Sequence, residues 1–443
     1  MVVIANRVSS VAPARPADDG RHFAVTLWLV AALVNFAAIV LVTGLATVEP
    51  RGDEQEYVTL ARRLYEHGEF LGLRRTPLWP GLMAAVFTVT GPSIAAGKIL
   101  NALLGAFTPV GVLFLGRQLF DRRTAALAAG IVALLPTTFI VNATLYSETA
   151  GTVAFVWTNV LLFWLLSRAD PAGSGRLALR PLDWVAFGAA LAVTNLVKPA
   201  FLLWMPLLVA VGVWHFRRAL GALTAGIAVA SIGFVVVMAP WWVRNWQVSG
   251  HFVPFSTAGD QSLLEANNPG LARMDPQHIR IGGRPVWTGP GKFLADWSQT
   301  GLVDATELAK LDDVGQARYA RVQALAWIEG HPREWLGLVA KKLGYGFGVW
   351  PLAHFATAAV IIDLPFLFVL IVSLRGWVAI LRHRGRELLL LLHPICFVAT
   401  TVLFYGSWRY RNPYEPSFVL AAAVAVGLAA GSLRWRRPGG ALE

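Results

Sequence analysis

The chain has 443 residues, of which 56% are hydrophobic and 14% charged, with 18 Trp and a formal net charge of +12. That is more apolar surface than a soluble domain buries, so the composition excludes a soluble globular protein and indicates an all-α polytopic membrane protein. The cations are scattered through short loops without a recognition motif, which argues against nucleic-acid binding. The single cysteine, Cys396, lies within an apolar run and excludes an intrachain disulfide or a thiolate metal site. No GxxxxGK[ST] phosphate loop occurs, so nucleotide hydrolysis is not expected to drive the protein.

The first predicted span, Phe23 to Ala46, exceeds the roughly 20 helical residues that cross a hydrocarbon core. It ends in a cleavage-like Gly44-Leu45-Ala46, but it is longer than the apolar core of a signal peptide and reads as an uncleaved helix. Further spans are expected near 93–116, 124–141, 149–167, 182–197, 200–214, 220–242, 354–379, 388–407 and 416–433, about ten in all. Pro77 to Pro92 and Trp335 to Trp350 are short, bounded by charge or Pro, and read as two outer interfacial helices. Lys and Arg collect on the cytoplasmic side of short loops. Here Arg7, Arg15 and Arg21 precede the first span, and Arg117, Arg122, Arg123, Arg168, Arg176, Arg180, Arg217 and Arg218 fall in alternate loops. Arg382, Arg384, Arg386, Arg434, Arg436 and Arg437 continue the alternation, which puts both termini in the cytoplasm of a multi-pass plasma (inner) membrane protein.

The organisation that follows is a tail over 1–22, an N-terminal membrane module over 23–243 with a first outer loop at 47–92, and an extracytoplasmic region over 244–334. An interfacial helix with the C-terminal membrane module covers 335–433, and a tail covers 434–443. The 244–334 segment is the only sizeable polar stretch and is expected to pack on the membrane part as a lid or acceptor-binding loop. Its histidines, His251, His278 and His331, lack metal-cluster spacing.

The first outer loop opens with Arg51-Gly52-Asp53-Glu54-Gln55-Glu56-Tyr57, in which carboxylates crowd together where a membrane helix ends. Such groups need water or a cationic partner. The expected outer face also carries Arg74, Arg75, Tyr146-Ser147-Glu148, Lys198, Arg244, Asn245, Lys341, Lys342, Arg409 and Arg411. Carboxylates and cations converging on one membrane face suit a lipid substrate with an anionic headgroup.

The same residues bring out a family resemblance. The chain resembles the GT-C membrane glycosyltransferases, in particular bacterial relatives of protein O-mannosyltransferases and lipid A aminoarabinose transferases. The acidic loop with Leu60-Ala61 and Gly68, then Arg75-Thr76-Pro77-Leu78-Trp79-Pro80, Tyr146-Ser147-Glu148, Pro240-Trp241-Trp242-Val243-Arg244-Asn245-Trp246 and Arg409-Tyr410-Arg411-Asn412-Pro413 with Pro416 are similar to that family's motifs, in order. The likeness weakens after Ser256-Thr257, where Asp260 and Glu265 replace the family's glycines and Gly-Asn step.

The resemblance implies transfer of a sugar from a polyprenyl-phosphate donor to an acceptor on the outer face, with inversion. The acceptor would be a protein, a lipid or a polysaccharide. Asp53 is then the expected general base, and Glu54 would orient the acceptor or hold a divalent cation. Arg75, Lys198, Arg244 and Arg411 are the expected phosphate clamps, with Tyr57, Glu148 and Arg409 completing the substrate-binding set. Each position has a plainer structural reading. Asp53 and Glu148 would complement the first turn of a helix, Glu54 and Glu56 would be solvated, and Arg75 would anchor to lipid phosphates. Lys198 would snorkel, Arg244 would cap a helix, and Lys341 and Lys342 would hold an interfacial helix on headgroups. Lys98 is expected to snorkel from the second span. A transporter or flippase of lipid-linked sugars, or a non-catalytic assembly subunit, would also carry a charged outer vestibule. Transporters, however, place ionisable groups near mid-membrane in related halves. A glycosidase would need a poised carboxylate pair.

Overall fold

The computed structural model describes residues 19–44, 50, 52–170, 177–273, 280–281, 284–285, 300–349 and 357–436. Arg7, Arg15, Arg51, Arg176, Arg437, His278, Trp350, residues 45–46 and residues 354–356 lie outside them.

The described chain is helical apart from a two-residue hairpin, Arg280–Ile281 with Arg284–Pro285. In order, the helices are α1 (Asp19–Ala38, continued by a π turn over Ile39–Thr43), α2 (Asp53–His67), α3 (Leu78–Thr90), α4 (Ile94–Gly105), α5 (Phe107–Leu119), α6 (Arg122–Leu134) and α7 (Pro136–Asn142). There follow α8 (Glu148–Ala169), α9 (Pro181–Val197), a 3-10 turn (Pro199–Leu203), α10 (Trp204–His215), α11 (Leu220–Ser249), α12 (Ala258–Ala266) and α13 (Pro269–Arg273). The last are α14 (Ala305–Leu308), α15 (Asp313–Gly330), α16 (Pro332–Gly346), α17 (Thr357–His383), a 3-10 turn (Arg386–Leu391), α18 (Leu392–Leu403), α19 (Trp408–Arg411) and α20 (Glu415–Ala429).

Each expected apolar span holds a helix, but their lengths are uneven. Gly20–Thr43, Ile94–Leu119, Glu148–Ala169, Leu220–Ser249, Val360–His383 and Arg386–Leu403 are long and apolar enough to cross a membrane. Helices α6 and α7 make a seventh only as a pair bent by 54°. The bend falls at Leu135, held extended (ψ 123°) before Pro136, the position where proline disfavours helical backbone. Leu78–Thr90, Pro181–Val197 and Pro199–His215 are shorter apolar helices, and α20 has 15 residues. Outward-facing Leu33, Leu41, Phe368 and Ile371 are exposed by two-thirds or more, an apolar surface that lipid would cover. These are the features of a multi-pass membrane protein.

Small residues set the tightest helix contacts, as expected where lipid offers no hydrophobic drive between helices. A Cβ at Gly188 of α9 would stand 1.7 Å from the Ala230 carbonyl oxygen of α11, and one at Gly233 would stand 2.1 Å from that of Val185. The same device joins α17 to α20, where a Cβ at Gly376 would meet the Ala421 carbonyl oxygen at 1.8 Å. Helix α20 is the centre of the largest core cluster, with Val419, Leu420, Ala421, Ala423 and Val424 fully buried against α5, α6 and α17. The polar region has a small core of its own between α12 and α15, formed by Leu264, Ala320 and Ala324. Helix α11 runs unbroken through residue 243, so the polar region begins beyond its end at Ser249.

Candidate functional site

Helix α2 starts abruptly because Gly52, at φ 57°, turns the chain into it, and its first turn carries Asp53, Glu54 and Glu56. Carboxylates there complement the helix dipole. Asp53, Glu56 and Tyr57 recur at the spacing that puts side chains on one helix face. That face meets Arg75, whose Nη2 donates to Asp53 Oδ1 at 2.5 Å and to Glu56 Oε2 at 2.6 Å, while its Nε donates to the same Glu56 oxygen at 2.8 Å. Tyr57 is buried, shares a hydrogen bond of 2.9 Å with Ser147 Oγ, and lies 4.9 Å beneath the Arg75 guanidinium. Glu54, on the neighbouring face, accepts from the Leu145 amide at 2.8 Å and so ties the start of α2 to the α7–α8 loop.

The remaining members arrive from three distant segments. Arg409 Nη2, on α19, stands 2.6 Å from Asp53 Oδ2, and its Nε donates to Glu148 Oε1 at the start of α8. Lys198, in the break between α9 and the following 3-10 turn, donates to the same Glu148 oxygen at 2.8 Å. The result is one continuous chain of alternating charge: Glu56, Arg75, Asp53, Arg409, Glu148, Lys198. Its cations rest on aromatic faces, with Arg409 3.8 Å over Tyr146 and Lys198 5.0 Å over Tyr410.

Exposure grades along the chain. The Glu148 side chain is fully buried, Lys198, Arg75 and Arg409 are 12–15% exposed, and Asp53 and Glu56 reach 27% and 33%. Burial alone would raise the Asp53 carboxyl, but the guanidiniums of Arg409 and Arg75 outweigh it and hold the group far below the usual carboxylate range. Burial works against the Arg75 and Arg409 cations too, and the carboxylates and tyrosine oxygens around them overcome it. The Glu148 Oε2 atom is buried and has no hydrogen-bond partner among the described residues.

Two expected clamps stand apart. Arg244 donates to the Gly72 carbonyl at 2.9 Å and to the Phe70 carbonyl, and packs on Phe70 and Trp241, so it braces the α2–α3 loop against α11. Arg411 is fully buried, donating to Glu415 at 2.6 Å, to Asp363 at 3.0 Å and to the Gly346 carbonyl at 2.9 Å. Residues two apart on one helical turn do not share a face, which is why Arg409 reaches the site and Arg411 does not. Lys98 donates to the Thr43 and Gly44 carbonyls, closing the end of α1 instead of snorkelling.

Glu56 was expected to be solvated and is instead gripped by Arg75; its spacing of three from Asp53 was the available signal. A second polar link was not foreseen. Arg74 Nη2 lies 3.4 Å from Glu265 Oε1, and Tyr405 donates to the other Glu265 oxygen while stacking on Tyr410 at 5.4 Å. Thus α12, where the sequence motifs weaken, touches both the α2–α3 loop and the α18–α19 loop.

For a divalent cation the fit is poor. Among the described residues no group of three or more His, Cys, Asp or Glu converges. Both oxygens of Asp53 are engaged by guanidiniums, so its carboxylate is committed to cations already present.

No family model matches the sequence, and no curated protein matches it. Among solved structures, the fold matches the archaeal oligosaccharyltransferase AglB from Archaeoglobus fulgidus, in complex with an inhibitory peptide and a dolichol-phosphate, with a TM-score of 0.54 and 14% identity. That match covers 93% of this chain and 51% of AglB. The same protein tethered to an acceptor peptide containing an NVT sequon gives a TM-score of 0.55 and 15% identity over 93% of this chain and 50% of that one. ArnT from Cupriavidus metallidurans bound to undecaprenyl phosphate gives 0.44 and 15%, over 92% and 78%. The helical membrane architecture is therefore shared with AglB. What is shared with AglB is the fold, and this chain spans about half of AglB's length.

Proposed function

We propose that the protein is a polyprenyl-phosphate-sugar-dependent glycosyltransferase of the plasma membrane, working on the extracytoplasmic face with both termini in the cytoplasm. The observation that carries this reading is the alternating chain from Glu56 to Lys198, which holds two guanidiniums on Asp53 and an ammonium on the neighbouring Glu148 at one end of the helical bundle. AglB's complex with a dolichol-phosphate supports a lipid-linked donor for this fold.

In this reading the acceptor hydroxyl gives its proton to Asp53 as its oxygen bonds to the anomeric carbon. The bond from that carbon to the phosphate oxygen breaks on the opposite side, with inversion. The phosphate leaves as an anion and needs positive charge more than a proton, which Arg75 and Arg409 supply as bidentate donors. A carboxylate clasped by two guanidiniums is a weak base, so the donor phosphate has a second effect. By drawing Arg75 and Arg409 toward itself it releases Asp53 and raises its basicity, coupling donor binding to readiness for proton transfer. Glu265 and α12 close the site on the acceptor side.

The test is lipid mass spectrometry on the purified protein and on membranes of a deletion strain. One sugar-bearing polyprenyl monophosphate that co-purifies and accumulates on deletion is expected. An unchanged lipid pool with no bound carrier overturns the reading in favour of transport or assembly.

A further inference from the structure

At the end of the bundle opposite Asp53 lies an apolar cavity of about 230 Å³ between α8, α9, α10, α11 and the 3-10 turn at Arg386–Leu391. Its position follows from the helix directions. Helix α8 begins at Glu148 in the charged site, and its contributors to the cavity, Leu162 and Leu166, sit about 20 Å further along at 1.5 Å per residue. Helix α9 runs the other way and ends beside Lys198. Its contributors, Trp184 and Phe187, belong to its opening turns. Leu208 of α10 and Ile227 of α11 complete the walls.

The mouth is cationic. Arg386 lies in the lining, and Arg217 and Arg218 are exposed in the adjoining turn between α10 and α11. Two nearby carboxylates are engaged elsewhere, Asp183 with Arg168 at 2.8 Å and Glu387 with His383 at 2.6 Å. Arg386 donates to the Asp170 backbone carbonyl and has the Asp170 carboxylate as its charge partner, whereas among the described residues Arg217 and Arg218 form no ion pair. An apolar slot with two such arginines exposed beside it recognises a ligand with a hydrocarbon chain and an anionic head.

We propose that this cavity is a binding site for an anionic glycerophospholipid, one acyl chain between α9 and α10 and its phosphate at Arg217 and Arg218. In the orientation set by the basic loops, this lipid belongs to the cytoplasmic leaflet, on the far side from the sugar donor. The site does not depend on the transferase reading, since it shares no residue with the charged chain around Asp53.

The full-length protein in mild detergent, titrated with phosphatidylglycerol or phosphatidylcholine and followed by native mass spectrometry, tests it. One phosphatidylglycerol should stay bound at detergent concentrations that strip phosphatidylcholine. Arg217→Gln and Arg218→Gln, both at exposed positions, should each weaken retention roughly fivefold. Leu208→Trp should abolish it by filling the slot, whereas Arg386→Lys and Asp53→Asn should keep it. Equal retention of the two lipids, or insensitivity to both arginine substitutions, overturns the proposal. Displacement of the bound lipid by a polyprenyl phosphate also overturns it, assigning the slot to the donor's tail.

Discussion

Asp53 opens α2, near the start of the chain, and Arg409 lies on α19, near its end, yet Arg409 Nη2 stands 2.6 Å from Asp53 Oδ2. The two ends of the membrane part therefore close on each other at one carboxylate, and everything else in the site is arranged around that contact.

The first prediction concerns Asp53 itself. Asp53→Asn keeps the shape and a hydrogen-bond acceptor while removing the charge and the basic site. Turnover should fall at least about a hundredfold, the lower range of a lost general base. Donor affinity should hold or tighten, because the two guanidiniums lose a competitor for the phosphate. Parallel measurements of sugar transfer and of donor binding separate the two effects. Near-normal turnover removes Asp53 as the base.

The clasp on Asp53 also sets a pH dependence. Its folded pKa is depressed below the ordinary 3.8, so its contribution to stability is complete above that value and is lost only as the pH falls through the folded value. Acidification from pH 7 to 4 should therefore cost nothing at this residue. Arg409→Ala removes the principal cation, so the Asp53 pKa rises and the acid limbs of both activity and thermal stability move to higher pH. Profiles between pH 4 and 8 for the two proteins are the check, and superimposable acid limbs would show that Arg409 does not govern Asp53.

Much of this was legible in the sequence. The basic loops and apolar runs pointed to the helices, the motifs singled out Asp53, Arg75, Glu148 and Arg409, and the sorting of charges by membrane face added Lys198. What stayed hidden was direction. Arg409 and Arg411 are near neighbours of the same type, and only the fold shows one turned to Asp53 and the other sealed against Glu415 and Asp363. Glu56 and Glu265 were obscure for a related reason. Their partners, Arg75, Arg74 and Tyr405, lie in other segments, and no local pattern reports a contact across such distances.

Metal removal gives a third prediction. With both Asp53 oxygens held by guanidiniums, the site gives a divalent ion no open carboxylate cage. Incubation with a chelator should leave the transfer rate within about twofold of the untreated enzyme, a span well under the 1.4 kcal/mol that a tenfold change represents. A loss that added Mg2+ or Mn2+ restores would mean that Asp53 exchanges an arginine for the metal during turnover.

A fourth prediction bears on how Arg409 is held in place. The loop carrying it passes directly over α16, where a Cβ at Gly406 would stand 1.8 Å from the Lys342 backbone oxygen. Backbone meets backbone there, so no side chain can give way. Gly406→Ala should push the loop off α16 and displace Arg409, cutting turnover at least tenfold while the distant α17–α20 core keeps the protein folded. Detergent-solubilised yield read beside activity tests this. Full activity would mean that the loop is not fixed by this contact.

The same contact point contains Lys342, which is fully buried beneath the loop. Its ammonium donates to the Val402 carbonyl at 2.8 Å, to Asn267 Oδ1 at 3.0 Å and to the Ala266 carbonyl at 3.4 Å, joining α16, α18 and α12. No carboxylate offsets the burial, which pulls the group down from 10.5 to about 7. A lysine depressed on folding binds fewer protons in the folded state than in the unfolded one, so stability rises with pH between those two values and is flat outside them. The wild-type protein should therefore melt at a higher temperature at pH 9 than at pH 7. Lys342→Met keeps the packed stem, removes the titrating group and should flatten that slope, at the cost of leaving Asn267 and two carbonyls short of a donor. Thermal denaturation of both proteins from pH 6 to 10 decides it. An equal slope in the variant would mean that the pH dependence arises elsewhere and that Lys342 stays charged, its three acceptors sufficient to hold the proton.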